Sequence, residues 1–199
     1  MATSASDRPR LPAAMRSGST VRIKSNSTRA LAPPPPGEML NPAFPNVPQP
    51  AKTNWCWAAV SVAVRQYLNG NTPTMCVLIN QVRPGFNCCN NPYSGPCNAP
   101  TPVDQGLKAL GNWNGQYGPL NLGQIQQAVH ATVPVVCVVS YAQGNHAVVL
   151  IGWANFSGVI KVAIMDPTAG VIGMPYTQLV SGYPAGGTWT ESYPTKKGS

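Results

Sequence analysis

Acid–base chemistry has few possible sources in this sequence. The 199 residues hold two histidines, His130 and His146, and five carboxylates: Asp7, Glu38, Asp104, Asp166 and Glu191. Six cysteines add thiol chemistry, and Cys56 stands apart from the other five: it lies between Trp55 and Trp57 at the head of the Ala-rich run WCWAAVSVAVRQYL. A thiol at a helix N-terminus sits at the positive end of the helix dipole, which favours thiolate, the nucleophilic form. A small cysteine also packs well in an Ala-rich helix, so Cys56 by itself decides nothing.

Three further pieces give it company. His146 stands at the mouth of a strand, Gly144-Asn145-His146-Ala147-Val148-Val149-Leu150, that then turns wholly apolar. A ring held at a sheet edge on rigid backbone suits a catalytic base. Asp166, in Ile164-Met165-Asp166-Pro167, closes the next strand, after a loop at Ser157-Gly158. Two antiparallel neighbours joined by that loop bring the start of one beside the end of the other. Asp166 then reaches the imidazole of His146 and fixes its tautomer. Gln49 precedes Cys56 by seven residues, where a side-chain amide can donate to an oxyanion.

These pieces need elements to hold them. A mostly buried helix is expected from Trp55 to Leu68, stopped by Asn69-Gly70. Shorter helices are expected over Met75–Val82, from Thr101-Pro102-Val103-Asp104 to Gly111 with Thr101 as N-cap, and over Leu122–His130. Short Val-, Ile-, Tyr- and Trp-rich runs then follow at Val133–Tyr141, His146–Ala154, Val159–Asp166, Val171–Tyr176 and Thr188–Tyr193. Helices first and strands afterwards describe an α+β protein with an antiparallel sheet.

The remaining cysteines read differently. Cys76, Cys88, Cys89 and Cys97 cluster in loop-like sequence, and two disulfides among them would staple a segment too polar to pack alone. Three connectivities are open. Cys137, in the strand VPVVCVVSY, reads as a buried apolar residue. No C-x-x-C pair is present and neither histidine is near the cluster, so no metal site is expected. His130 complements a helix C-terminus, Asp104 is accounted for by capping, and Glu191 is expected to be exposed. Trp113, Trp153 and Trp189 are assigned to the core.

Composition narrows the class. Charged residues are only 9%, and the net charge of +8 divides into +4 for residues 1–50 and +4 for residues 51–199. Its bases are scattered without a stripe, which argues against nucleic-acid binding. No uninterrupted apolar run approaches the ~18 residues of a membrane span, so a soluble chain is expected. Ten of the 22 prolines fall in residues 1–50, including Pro33-Pro34-Pro35-Pro36. Residues 1–44 are therefore read as a disordered Ser/Arg/Pro-rich tail, serving targeting, secretion or linkage, and 45–199 as the folded domain. The tail lacks the apolar stretch of a secretory signal peptide. The disulfide candidates favour a secreted or exported protein, with a cytoplasmic one as the alternative.

Gln49, Asn54-Trp55-Cys56-Trp57-Ala58-Ala59, Asn145-His146-Ala147-Val148-Val149 and Asp166-Pro167 together resemble the papain-like cysteine peptidases. The likeness is closest to the small bacterial branch that includes secreted effector proteases of plant pathogens. It implies a helical half carrying the nucleophile helix, followed by an antiparallel sheet half. It further implies a Cys56-His146-Asp166 triad and an oxyanion hole made by Gln49 and the Cys56 backbone N–H. A protein or peptide substrate, no cofactor and a monomer are expected on the same grounds. Three departures are visible: Gln49 is one residue further from the cysteine than in papain, Asn145 stands where a small Gly or Ser often precedes the histidine and narrows the cleft, and Asp166 stands where papain-like enzymes often carry Asn. The same triad serves deamidation or transglutamination, and a catalytically silent papain-fold binding module is the alternative outside enzymes.

Overall fold

The computed structural model describes residues 37–39 and 44–198. A short strand, β1 (Gly37–Met39), comes first. Four helices follow: α1 (Cys56–Asn69), α2 (Met75–Val82), α3 (Val103–Ala109) and α4 (Leu122–His130). The chain then turns to strands β2 (Val135–Tyr141), β3 (Gly144–Phe156), β4 (Val159–Asp166) and β5 (Gly170–Pro175). A short helix α5 (Tyr176–Ser181) precedes the last strand, β6 (Thr188–Pro194). The described chain is thus α+β, with α1 to α4 ahead of the main run of strands.

The helix α1 forms because Ala58, Ala59 and Ala63 let its whole middle be buried, from Trp57 to Val64. It ends at Gly70, whose left-handed φ of 75° a residue with a side chain would adopt only at a cost. Crossing α3 comes very close: a Cβ on Gly106 would lie 2.5 Å from Ser61 Oγ and 3.0 Å from the Trp57 ring, so a larger residue would force these side chains to shift. Helix α4 starts on a reciprocal capping box, in which the Asn121 side chain accepts from Gln124 N–H and Gln124 returns the bond. Helix α3 differs from expectation at its start. Its N-cap is Pro102, without a side-chain cap. The Thr101 hydroxyl is instead taken by the Arg83 guanidinium, which also donates to the Ala99 carbonyl at 2.9 Å. Asp104 lies in the first turn and pairs with Lys108 at 2.7 Å.

The sheet is antiparallel throughout, in the order β5-β4-β3-β2-β6. Its centre is fully apolar: Val135 to Val139 and Ala147 to Trp153 are all buried, and α1 packs against β3. The β3–β4 hairpin turns at Ser157 and Gly158, both at positive φ, the geometry that matches a right-handed strand twist. Strand β1 lies inside the segment assigned to the tail and pairs with β3, Glu38 opposite Trp153. The rest of residues 1–43, the polyproline run included, lies outside the described residues. Helix α5 was not expected; its Tyr, Thr and Val content favours strand. Only Leu179 is buried in it.

Two disulfides join the clustered cysteines, Cys76 to Cys89 and Cys88 to Cys97. Cys56 and Cys137 are free, and Cys137 is fully buried. Denatured, unreduced protein should therefore titrate two thiols with a disulfide-exchange reagent, and reduction should expose six. Each cross-link closes a short loop and is expected to contribute about 2–4 kcal/mol, so reduction should visibly lower Tm. Six thiols before reduction would contradict the cross-links.

Candidate active site

Cys56 is the first residue of α1 and is half-buried. It opens onto a cavity of about 690 Å³ that His146, Asn54 and Trp57 also line. The approach to Cys56 is held by the stapled loop. Asn54 N–H donates to Asn98 Oδ1 at 2.7 Å, and Asn54 Nδ2 returns a 2.7 Å bond to the Asn98 carbonyl. The Trp55 indole N–H donates to the Cys97 carbonyl at 2.9 Å. The Cys88–Cys97 bridge therefore braces the turn immediately before the nucleophile.

On the sheet side, His146 sits near the start of β3, opposite Val139 of β2, and Asp166 ends β4. The hairpin returns Asp166 to the ring: His146 Nε2 and Asp166 Oδ1 are 2.8 Å apart. With Nε2 engaged there, Nδ1 is the nitrogen left to face the Cys56 thiol, with which the ring also interacts. Asp166 is 4% exposed and its charge is fully answered. Thr168 donates to Oδ1 through both its N–H and its hydroxyl, each at 2.7 Å. The buried Tyr183 hydroxyl donates to Oδ2 at 2.6 Å.

The electrostatics follow from this geometry. Burial favours neutral imidazole, but the hydrogen bonds and charges of Asp166 and Cys56 outweigh it, and the His146 pKa is raised to about 9. Burial likewise opposes the Asp166 carboxylate; His146, Tyr183 and Thr168 prevail and hold it below the usual carboxylate range. At neutral pH the ring is therefore imidazolium and the carboxylate is ionised.

The loop carrying Tyr183 is anchored twice. The Tyr141 hydroxyl donates to the Pro184 carbonyl at 3.1 Å. Gly187 packs so tightly on β2 that a Cβ would meet Val139 Cγ1 at 2.4 Å. Tyr183 and Thr168 escaped sequence reasoning. Asp-Pro-Thr is a local turn signal that points to Thr168, whereas Tyr183 arrives through tertiary packing alone.

Gln49 is fixed just ahead of Cys56 and beside the Asp166 turn. Its backbone N–H donates to the Pro167 carbonyl at 3.0 Å and its Nε2 to the Thr53 carbonyl at 2.8 Å. An amide nitrogen has two hydrogens, so one is left for another acceptor. Glu191 departs from expectation. It is half-buried in β6, lines the cavity and accepts the Tyr193 hydroxyl. Trp153 and Trp189 are core residues as expected, while Trp113 packs at the core's edge under Lys108 Nζ. Among the described residues no cluster of His, Cys, Asp or Glu could hold a metal ion. No helix of the described residues is long and apolar enough to cross a membrane.

A helix bearing a cysteine, packed on an antiparallel sheet bearing a histidine, is the papain-like arrangement. The fold is similar to that of digestive procathepsin L 3 from the larval midgut of Tenebrio molitor, at 13% identity and a TM-score of 0.53 over 83% of this chain and 71% of that one. A C39-like peptidase from Bacillus anthracis is also similar, at 18% identity and a TM-score of 0.49 over 81% of this chain and 99% of that one. Residues 43–175 match the family described as papain-like cysteine protease AvrRpt2, and the chain belongs to that family. It is accordingly a hydrolase of the cysteine protease class. No curated protein matches the chain.

Proposed function

We propose that this protein hydrolyses peptide bonds with Cys56 as nucleophile, His146 as acid and base, and Asp166 as the residue that orients and charges the ring. The observation that carries the reading is the 2.8 Å contact of His146 Nε2 with Asp166 Oδ1, on a ring whose other side faces the Cys56 thiol in a cavity. The Cys56 thiolate attacks the peptide carbonyl and an S–C bond forms. The Cys56 backbone N–H and the uncommitted Gln49 hydrogen receive the oxyanion. Imidazolium gives its proton to the leaving amine as the C–N bond breaks, and a thioester remains. Water then attacks the thioester carbon while His146 takes a proton. The S–C bond breaks, and thiolate and imidazolium are restored.

Export to an oxidising compartment belongs to the same proposal, supported by the two disulfides. Digestion of a diverse peptide pool, read by mass spectrometry, tests the activity. Wild-type protein should release new termini and His146→Ala should not. Equal product from both would contradict the reading.

A further inference from the structure

Gln49 and Asn98 grip the two ends of one peptide unit. The Thr53 carbonyl accepts from Gln49 Nε2 at 2.8 Å, and the Asn54 N–H donates to Asn98 Oδ1 at 2.7 Å. Those two groups share the planar amide between residues 53 and 54, in which C=O and N–H point opposite ways. Asn98 therefore sets the tilt of the carbonyl that Gln49 faces. The other end of its side chain holds the preceding unit, with Nδ2 donating to the Lys52 carbonyl at 3.3 Å. The Asn98 carbonyl completes the grip by accepting from Asn54 Nδ2 at 2.7 Å.

The turn needs this outside support. Lys52 is at φ 60°, in the left-handed region that a side chain adopts at a cost and keeps only where its surroundings hold it. Within the turn, the Thr53 N–H and hydroxyl both donate to the Pro50 carbonyl, at 3.3 and 2.7 Å. Asn98, by contrast, stands on rigid ground. It follows Cys97 of the Cys88–Cys97 bridge, and its N–H donates to the Ser94 carbonyl at 2.8 Å. Just beyond it, the Arg83 guanidinium donates to the Ala99 and Pro100 carbonyls at 2.9 and 3.2 Å.

Gln49 depends on the plane that Asn98 holds. Its Oε1 is buried with no donor among the described residues, so the bond to Thr53 is what orients its side-chain amide. One Nε2 hydrogen goes to Thr53, and this fixes the direction of the second. Asn98 itself does not line the cavity that holds Cys56 and His146. We propose that Asn98 is a positioning residue for the oxyanion hole: through the amide between Thr53 and Asn54 it holds the Gln49 side chain at the angle that receives the oxyanion. The inference rests on the peptidase reading above and adds to it a residue of the stapled loop.

Three rates separate this role from a merely structural one. Asn98→Ala should lower kcat on a fluorogenic peptide about 10- to 100-fold with KM within about 3-fold, because an oxyanion donor acts in the transition state. Alkylation of Cys56 by iodoacetamide needs thiolate but no oxyanion hole, so its rate should stay within about 3-fold. Trp55 keeps its bond to the Cys97 carbonyl in this variant and still holds the head of α1. In Gln49→Ala, adding Asn98→Ala should cost less than about 3-fold in kcat, since no amide is left to position. Unchanged kcat in Asn98→Ala, alkylation that falls as far as kcat, or a full further loss in Gln49→Ala would each overturn the role. Hydrogen exchange of the Gln49 side-chain amide, followed by NMR, tests the coupling without turnover. Asn98→Ala should speed that exchange about 10-fold or more. Faster exchange in a protein that cleaves no peptide would sink the peptidase reading and leave the Asn98–Gln49 coupling standing. Unchanged exchange would overturn the coupling, whatever the protein cleaves.

Discussion

A Cys56→Ser variant is expected to lose peptide hydrolysis by roughly 10⁴-fold or more, with Tm within a few degrees of wild type. The change swaps one chalcogen for another at the head of α1, so neither helix nor core should notice it. Cys56 is half-buried and accepts no structural cross-link. What changes is the nucleophile. An alkoxide at pH 7 is far less accessible than a thiolate, and the His146–Asp166 pair, set to hold a proton, is poorly placed to remove one from serine. Steady-state assays beside a thermal melt separate this loss from misfolding. Retained hydrolysis in Cys56→Ser would remove Cys56 from the reaction.

Asp166→Ala is the second large expectation, a loss of roughly 10²–10⁴-fold in kcat. The carboxylate answers four donors, so its removal frees the His146 ring, strands the buried Tyr183 hydroxyl and withdraws the charge that keeps imidazolium. Asp166→Asn is milder and more diagnostic. It keeps an acceptor for the ring and removes the charge. With burial still disfavouring the cation, the His146 pKa should fall from about 9 towards or below the ordinary ~6.5. The alkaline limb of kcat/KM, expected near pH 9 in the wild type, should move down with it. Stability follows the same sign. Because the folded-state pKa is raised, His146 contributes fully below about pH 6.5 and the contribution is lost as pH rises through about 9. An alkaline limb that stays in place in Asp166→Asn would show that the carboxylate does not set the ring's charge.

How far the sequence could carry this picture depended on whether a feature was local. His146 and Asp166 were legible because one hairpin joins them, and its turn was marked by Ser157-Gly158. Cys56 was legible because an Ala-rich run and an Asn-Gly stop bound its helix. The cysteine pairing was open, since four thiols in one loop satisfy any of three connectivities. Glu191 was misplaced because its surroundings are set by a bulge in the β2–β6 pairing between Val138 and Val139, which leaves no trace in periodicity. Tyr183 was missed for a similar reason: the loop after α5 reaches Asp166 only once the sheet exists. Thr101-Pro102-Val103-Asp104 reads locally as a capped helix start, but Arg83 claims the Thr101 hydroxyl instead through a contact between distant segments.

The most direct test of the account is to trap the covalent intermediate. Protein mixed with a slowly hydrolysed peptide ester is quenched in acid, digested with protease and mapped by mass spectrometry. The account predicts one acyl group per chain, on the fragment carrying Cys56, and none in Cys56→Ser. It also predicts far slower acylation in His146→Ala. An acyl group on any other residue, or acylation of Cys56 at the same rate without His146, would contradict the account.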